Sequence, residues 1–176
     1  MLQWARANGC PWNAKDTCSA AAWGGHLEVL QWARANGCPW DEKTTFFAAK
    51  MGHEALLQAL IEAGADVNKA INNGETPLIM AVHNGFEAVV QALIEAGADV
   101  NKAEARGVTP LYIAAQNGFE AVLRALIEAG ADINQVAVNG STPLSVSMML
   151  ARNAAQGNHA AIYRSIVQIL RDAGAA

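Results

Sequence analysis

The chain carries little charge of either sign. Charged residues make up 16% of its 176 positions, with 12 Lys and Arg against 16 Asp and Glu and a formal net charge of −4. Residues 1–50 sum to +1 and residues 51–176 to −5. A chain with no basic run cannot neutralise a row of phosphates, so no nucleic-acid partner is expected. Aromatics are scarce, 6% against 52% hydrophobic residues overall, so the core has to be built from small and aliphatic groups. No apolar run approaches the roughly 18 residues of a bilayer-spanning helix, and the N-terminus lacks the charged-then-apolar layout of a secretory signal. These absences predict no membrane partner and a soluble, cytoplasmic protein. Cysteine is confined to Cys10, Cys18 and Cys38. An odd count without a secretory signal predicts reduced thiols rather than a disulfide framework. With His26, the three lack the paired spacing of a structural zinc site. Nor is there a nucleophile with its base, a Gly-rich phosphate loop or a helix-borne His-Glu-x-x-His. No catalysis, cofactor or metal is expected.

Repetition is what the chain does contain. Thr-Pro-Leu occurs at Thr76-Pro77-Leu78, Thr109-Pro110-Leu111 and Thr142-Pro143-Leu144, each 33 residues after the last. A Gly-Ala-Asp-apolar-Asn segment begins at Gly64, Gly97 and Gly130 with the same step. A fixed period of this length marks a stacked repeat protein. Within one period Thr76 is a good N-cap, and Pro77 sits where a missing N–H costs nothing. Leu78, Met80, Ala81 and Val82 supply a short first helix that should stop near Gly85. Phe86, Val89, Val90, Leu93 and Ile94 recur at helical spacing with Glu87, Gln91 and Glu95 opposite. That pattern predicts a second helix from Phe86 to about Ala96. One helix pair cannot bury its own apolar face, so the units must stack into an all-α solenoid.

These residues resemble the ankyrin repeat family. The shared pattern is Gly-x-Thr-Pro-Leu-x-x-Ala-x-x-x-Gly, an apolar helix, then Gly-Ala-Asp-apolar-Asn. Three units from about Lys69 to Ala176 carry it, and with weaker units before them the likeness covers essentially the whole chain. It implies an ankyrin-type α-solenoid of helix-turn-helix repeats with short β-hairpin or loop fingers. The sequence departs from the family at the histidine after Thr-Pro-Leu, which is Ile79, Tyr112 and Ser145 here, and at the aspartate opening the loop turn, here Ile71, Glu104 and Ala137. Asn68, Asn101 and Asn134 close the Asp-apolar-Asn motif, and in the family that asparagine stabilises the loop.

The N-terminal third repeats on a shorter period. Leu-Gln-Trp-Ala-Arg-Ala-Asn-Gly-Cys-Pro-Trp occurs at Leu2–Trp12 and again at Leu30–Trp40, an offset of 28. Five residues are therefore missing, and they come from the finger, so the fingers after Trp12 and Trp40 should be truncated. Asp16 or Thr17, and Thr44, are the expected substitute N-caps. The expected organisation is a single solenoid: a half repeat over 1–12, divergent repeats over 13–40 and 41–68, regular repeats over 69–101 and 102–134, and a last repeat over 135–176. That last unit carries an insertion around 148–160. The half repeat would leave Leu2 and Trp4 facing no neighbour. It reads as a segment cut from a longer array, with a makeshift cap or pairing with another copy as alternatives. The chain is otherwise expected to be a monomer.

Several residues that invite a chemical reading have a structural one. Cys10 and Cys38 hold one repeat position that is alanine elsewhere, so they read as small buried thiols. His26 and His53 open second helices, as packing or hydrogen-bonding residues. Trp4/Trp32 and Trp12/Trp40 are repeat-equivalent pairs and read as core. Trp23 has Lys50 as its counterpart and could make surface contacts.

Function is expected where side chains vary while the frame stays fixed. In the family, partners are gripped by finger tips and the exposed face of the first helix. Carried over by position, those are Asn72, Asn73, Glu75, His83 and Asn84 in one unit. The next unit gives Ala105, Arg106, Val108, Tyr112, Gln116 and Asn117, and the third Val138, Asn139, Ser141 and Ser145. Tyr112 and Arg106 are the expected anchors, because aromatic and guanidinium groups dominate interface hot spots. The implied role is a non-catalytic scaffold or interaction module for an unknown protein partner. Two alternatives stand beside it: an array segment or engineered repeat protein with no dedicated partner, and, remotely, a metal-dependent enzyme using the Cys and His residues.

Overall fold

The computed structural model describes residues 14–38, 40–154 and 158–175. The half repeat expected over 1–12, with Trp4, Cys10 and Trp12, lies outside them. Ten helices run in pairs: α1 (Ala14–Gly24), α2 (Leu27–Ala35), α3 (Glu42–Lys50), α4 (Glu54–Glu62), α5 (Pro77–Asn84), α6 (Glu87–Glu95), α7 (Pro110–Asn117), α8 (Glu120–Glu128), α9 (Pro143–Asn153) and α10 (Asn158–Asp172). The first helices α1, α3, α5, α7 and α9 pack successively on one another, each against its own second helix, and α4, α6, α8 and α10 form the outer row. The protein is an α-solenoid, with no strand among the described residues.

Local chemistry sets each boundary. Thr76, Thr109 and Thr142 are N-caps whose hydroxyls accept the amides of Ile79, Tyr112 and Ser145, with proline at the first helical position. Gly85 and Gly118 end α5 and α7 in the left-handed conformation. Where a second helix begins, the side chain of His53, Phe86 or Phe119 lies over the glycine turn of the preceding unit. His53 also brings Nε2 within 3.1 Å of the Trp23 carbonyl. Neither His26 nor His53 makes a side-chain cap bond.

Two capping expectations are corrected. Asp41 is the N-cap of α3, accepting from the amides of Lys43 and Thr44. Thr44 is instead buried in the first turn and donates its hydroxyl to Asp41 Oδ1 at 3.0 Å. A carboxylate three residues earlier starts the helix sooner and outcompetes the threonine. Asp16 and Thr17 fall inside α1, which is already helical at Ala14.

The interior is a stack of leucine and alanine layers. Leu57, Leu60, Leu93, Leu111, Leu123 and Leu126 have no exposed surface, and Ala48, Ala81 and Ala114 let neighbouring first helices approach. Ser147 takes an interior place in α9, and its hydroxyl is satisfied by the Pro143 carbonyl at 2.8 Å. Trp32 and Trp40 are half-buried against this core, Trp40 beneath the Arg34 guanidinium at 4.5 Å.

The cysteines depart from the reduced state expected of them: Cys18 and Cys38 form a disulfide. An odd count does not prevent one pair. The α1–α2 hairpin brings their Cα atoms to 6.6 Å, within bridging range.

Between α4 and α5, and again between α6 and α7, the connection is a long finger, whereas α2 and α3 are joined by residues 36–41 alone. Each finger is a tight turn. In the first, the Ile71 amide donates to Glu75 O at 3.0 Å and the Gly74 amide to Ile71 O at 2.9 Å. Neighbouring fingers are tied by Ala105 N to Asn73 O at 3.2 Å and Val138 N to Arg106 O at 3.0 Å. In the last unit α9 has 11 residues and α10 has 15, against 8 and 9 in α7 and α8. Residues 155–157, inside the 148–160 segment, are outside the described residues.

Candidate protein-binding face

The fingers and the first helices enclose a groove of about 550 Å3 between α5 and α7. Its floor is Ile79 and Tyr112, the third residues of their helices, with Val108 and Val138 on the finger side. Glu75, His83, Gln116 and Asn139 stand around the rim. Arg106, at a finger tip, donates from Nε to Glu104 Oε1 at 2.8 Å, and its side chain is 81% exposed. Val138 is 80% exposed. Of the fifteen positions expected to face a partner, eight line this groove: Glu75, His83, Arg106, Val108, Tyr112, Gln116, Val138 and Asn139.

The other seven lie elsewhere. Asn72 and Asn73 border a second depression. Asn84 Nδ2 donates to Met80 O at 2.9 Å and to Lys50 O at 3.3 Å, and Asn117 Nδ2 to His83 O at 3.2 Å, so both reach a carbonyl of the preceding unit. Ala105 is exposed, with its amide spent on the neighbouring finger. Ser141 and Ser145 make local bonds: the Ser141 hydroxyl donates to Asn139 Oδ1 at 2.6 Å, and Ser145 completes a capping box with Thr142. Tyr112 is only 8% exposed, so its ring belongs mostly to the interior and offers the groove an edge.

The asparagines of the Asp-apolar-Asn motif do work between units. Asn68 Nδ2 donates to Gly97 O at 3.0 Å while its Oδ1 accepts the Asp99 amide at 2.7 Å. Asn101 repeats this one unit on, to Gly130 O at 3.3 Å and from the Asp132 amide at 2.7 Å. Lys102 Nζ adds a bond to Asn68 O at 2.8 Å. These bonds link adjacent loops in a chain whose Thr-Pro-Leu units lack the following histidine.

The second depression, about 330 Å3, was not legible in the sequence as a site. It lies one unit towards the N-terminus, with Phe47 and Ile71 as its apolar surface over the buried Phe46, Lys43 and Lys50 as its cations, and Glu42 and Glu75 as its carboxylates. Lys50 Nζ sits 5.7 Å from the Trp23 ring centroid and 5.9 Å from that of Phe46. Trp23, 48% exposed, meets Phe47 edge-on at 5.1 Å. One signal could have found it: the column Trp23, Lys50, His83, Gln116 differs in every unit.

Charge outside the grooves is local. Glu120 on α8 is held below the usual carboxylate range, chiefly by the Ser165 hydroxyl at 2.8 Å, then by Arg124 at 3.1 Å. Among the described residues, no three His, Cys, Asp or Glu side chains converge on a place that could hold a metal ion. No helix among them is long and apolar enough to cross a membrane.

Two family models match the chain, ankyrin repeats (3 copies) over residues 18–104 and ankyrin repeats (many copies) over residues 87–127. The chain belongs to the ankyrin repeat family. No curated protein matches it. Ankyrin repeats are in general protein–protein interaction modules and are typically non-catalytic.

Proposed function

We propose that the protein is a non-catalytic binding module that grips a partner protein through its concave face, with the α5–α7 groove as the centre of contact. The observation that carries this reading is the groove itself, an apolar floor with a polar rim, built by positions whose side chains change while the repeat frame is constant. Fully buried cores ringed by polar groups are the usual anatomy of a protein interface. Arg106 and Val138 are its exposed anchors, and the edge of Tyr112 its floor. The copied Leu-Gln-Trp-Ala-Arg-Ala-Asn-Gly-Cys-Pro-Trp stretch favours a second reading, a repeat array with no dedicated partner.

Affinity capture with the full chain, followed by titration calorimetry on each captured protein, separates the two. A specific partner should bind in a fixed ratio and lose about tenfold or more in affinity on Arg106→Glu plus Val138→Asp. Both side chains are exposed, so the fold is spared, whereas Tyr112→Ala would also open a cavity. Partners unaffected by that double change would defeat the concave-face reading, and finding no partner would favour the array.

A further inference from the structure

We propose that the partner contributes an extended acidic segment, its carboxylate docked between Lys43 and Lys50 and a large apolar side chain seated about three residues further along in the α5–α7 groove. This rests on the concave face being the binding surface and names what it binds.

The argument begins with charge. The protein is acidic overall, yet the depression at the N-terminal end of this face presents two ammonium groups, Lys43 and Lys50, alongside the carboxylates of Glu42 and Glu75. Glu42, the nearest carboxylate of the same helix, is paired with Lys69 at 3.4 Å. Neither Lys43 nor Lys50 has a carboxylate partner among the described residues. Lys50 is held over the Trp23 and Phe46 rings instead, which fixes its position without neutralising it. An ammonium so placed beside apolar surface attracts a carboxylate carried on an apolar backbone trace.

Spacing supplies the second step. Glu75 lines both depressions, so they adjoin at that residue. They belong to successive first helices, and packed helices lie about 8–10 Å apart. An extended chain advances about 3.3 Å per residue, so it covers that interval in about three residues. Across the larger groove Arg106 is already paired with Glu104, leaving the Val108 and Val138 surface, over the buried Ile79, for an apolar side chain. Glu75, between the two, can accept from a backbone N–H of the crossing segment. A basic segment would meet Lys43 and Lys50 unfavourably.

The test uses a phage library of random dodecapeptides panned against the full chain at low ionic strength. Enriched peptides are then measured by fluorescence polarisation. They should carry Asp or Glu about three residues from a large apolar residue. Their affinity should fall about tenfold on Lys43→Glu plus Lys50→Glu, and weaken with added salt. A peptide with its acid changed to lysine should recover affinity for that double variant, which a misfolded variant could not produce. The inference is overturned if no peptide is enriched, if enriched peptides lack the acid, or if the lysine changes leave affinity unmoved. Peptides weakened only by Arg106→Glu plus Val138→Asp would end this inference and leave the concave-face reading standing. Peptides moved by neither pair would count against both.

Discussion

Replacing Gly85 with alanine should destabilise the stack through two separable effects. The residue ends α5 at φ 72°, in the left-handed region that an L-side chain occupies at a cost of about 1–2 kcal/mol. A Cβ there would also lie 2.9 Å from Cζ of Phe119, whose ring covers this turn from the next unit. Forcing that ring aside adds about 1–3 kcal/mol. Gly97 is the control: its φ is 82°, but a Cβ would meet nothing within 4 Å. Gly97→Ala should therefore cost about 1–2 kcal/mol and Gly85→Ala about 2–5 kcal/mol. With a urea slope of about 2 kcal/mol per molar, the midpoints fall by about 0.5–1 M and about 1–2.5 M. The assay is urea unfolding followed by helical ellipticity. Tryptophan fluorescence should be recorded alongside, because Trp23, Trp32 and Trp40 report on the N-terminal units and would reveal separate unfolding. In a Phe119→Ala background the two glycine changes should cost the same, since the ring is gone. Equal losses in the wild-type background would refute the reasoning.

Asn101→Ala removes two bonds between loops and should cost about 1–3 kcal/mol, with faster hydrogen exchange at the Asp132 amide. Asp41→Ala should cost about 0.5–2 kcal/mol in the same urea experiment, because the carboxylate caps two amides of α3; Thr44→Ala, if it matched that loss through capping, would contradict the Asp41 assignment. Glu120 has its folded-state pKa depressed below the ordinary 4.5, so its contribution is present above the unfolded-state value and is lost as pH falls through the folded one. Ser165→Ala should move that titration upward towards the ordinary value, as read by carboxyl NMR; an unchanged titration would remove the Ser165 bond as its main cause.

The repeating frame was legible because a period of 33 residues, Thr-Pro caps and terminating glycines all specify the same helix pair. What stayed hidden depended on neighbours that the period does not encode. Thr44 reads as a cap in the sequence, but α3 begins at Glu42 and its cap is Asp41, three residues before Thr44. Asn84 and Asn117 vary from the family's frame in no obvious way, and only the stacking distance shows that their amides reach the unit before. Tyr112 occupies a position read as facing the groove, yet its ring is taken into the interior, because a first helix one layer deep has residues that belong to both. The Lys43–Lys50 depression is not legible in the sequence for a related reason. It is assembled from a divergent unit and the finger of the next, and a repeat alignment compares equivalent positions without juxtaposing unlike ones.

The asparagine bonds from Asn68 and Asn101 have a consequence for how such a molecule can change length. Each side chain needs a glycine carbonyl and an aspartate amide supplied by its successor, and the successors of Asn68 and Asn101 present the same two groups. Excising one whole period would let Asn68 meet the groups that Asn101 now engages, whereas a cut of any other size would strand both ends. Growth and shortening are thereby quantised, in steps of a complete helix pair with its finger.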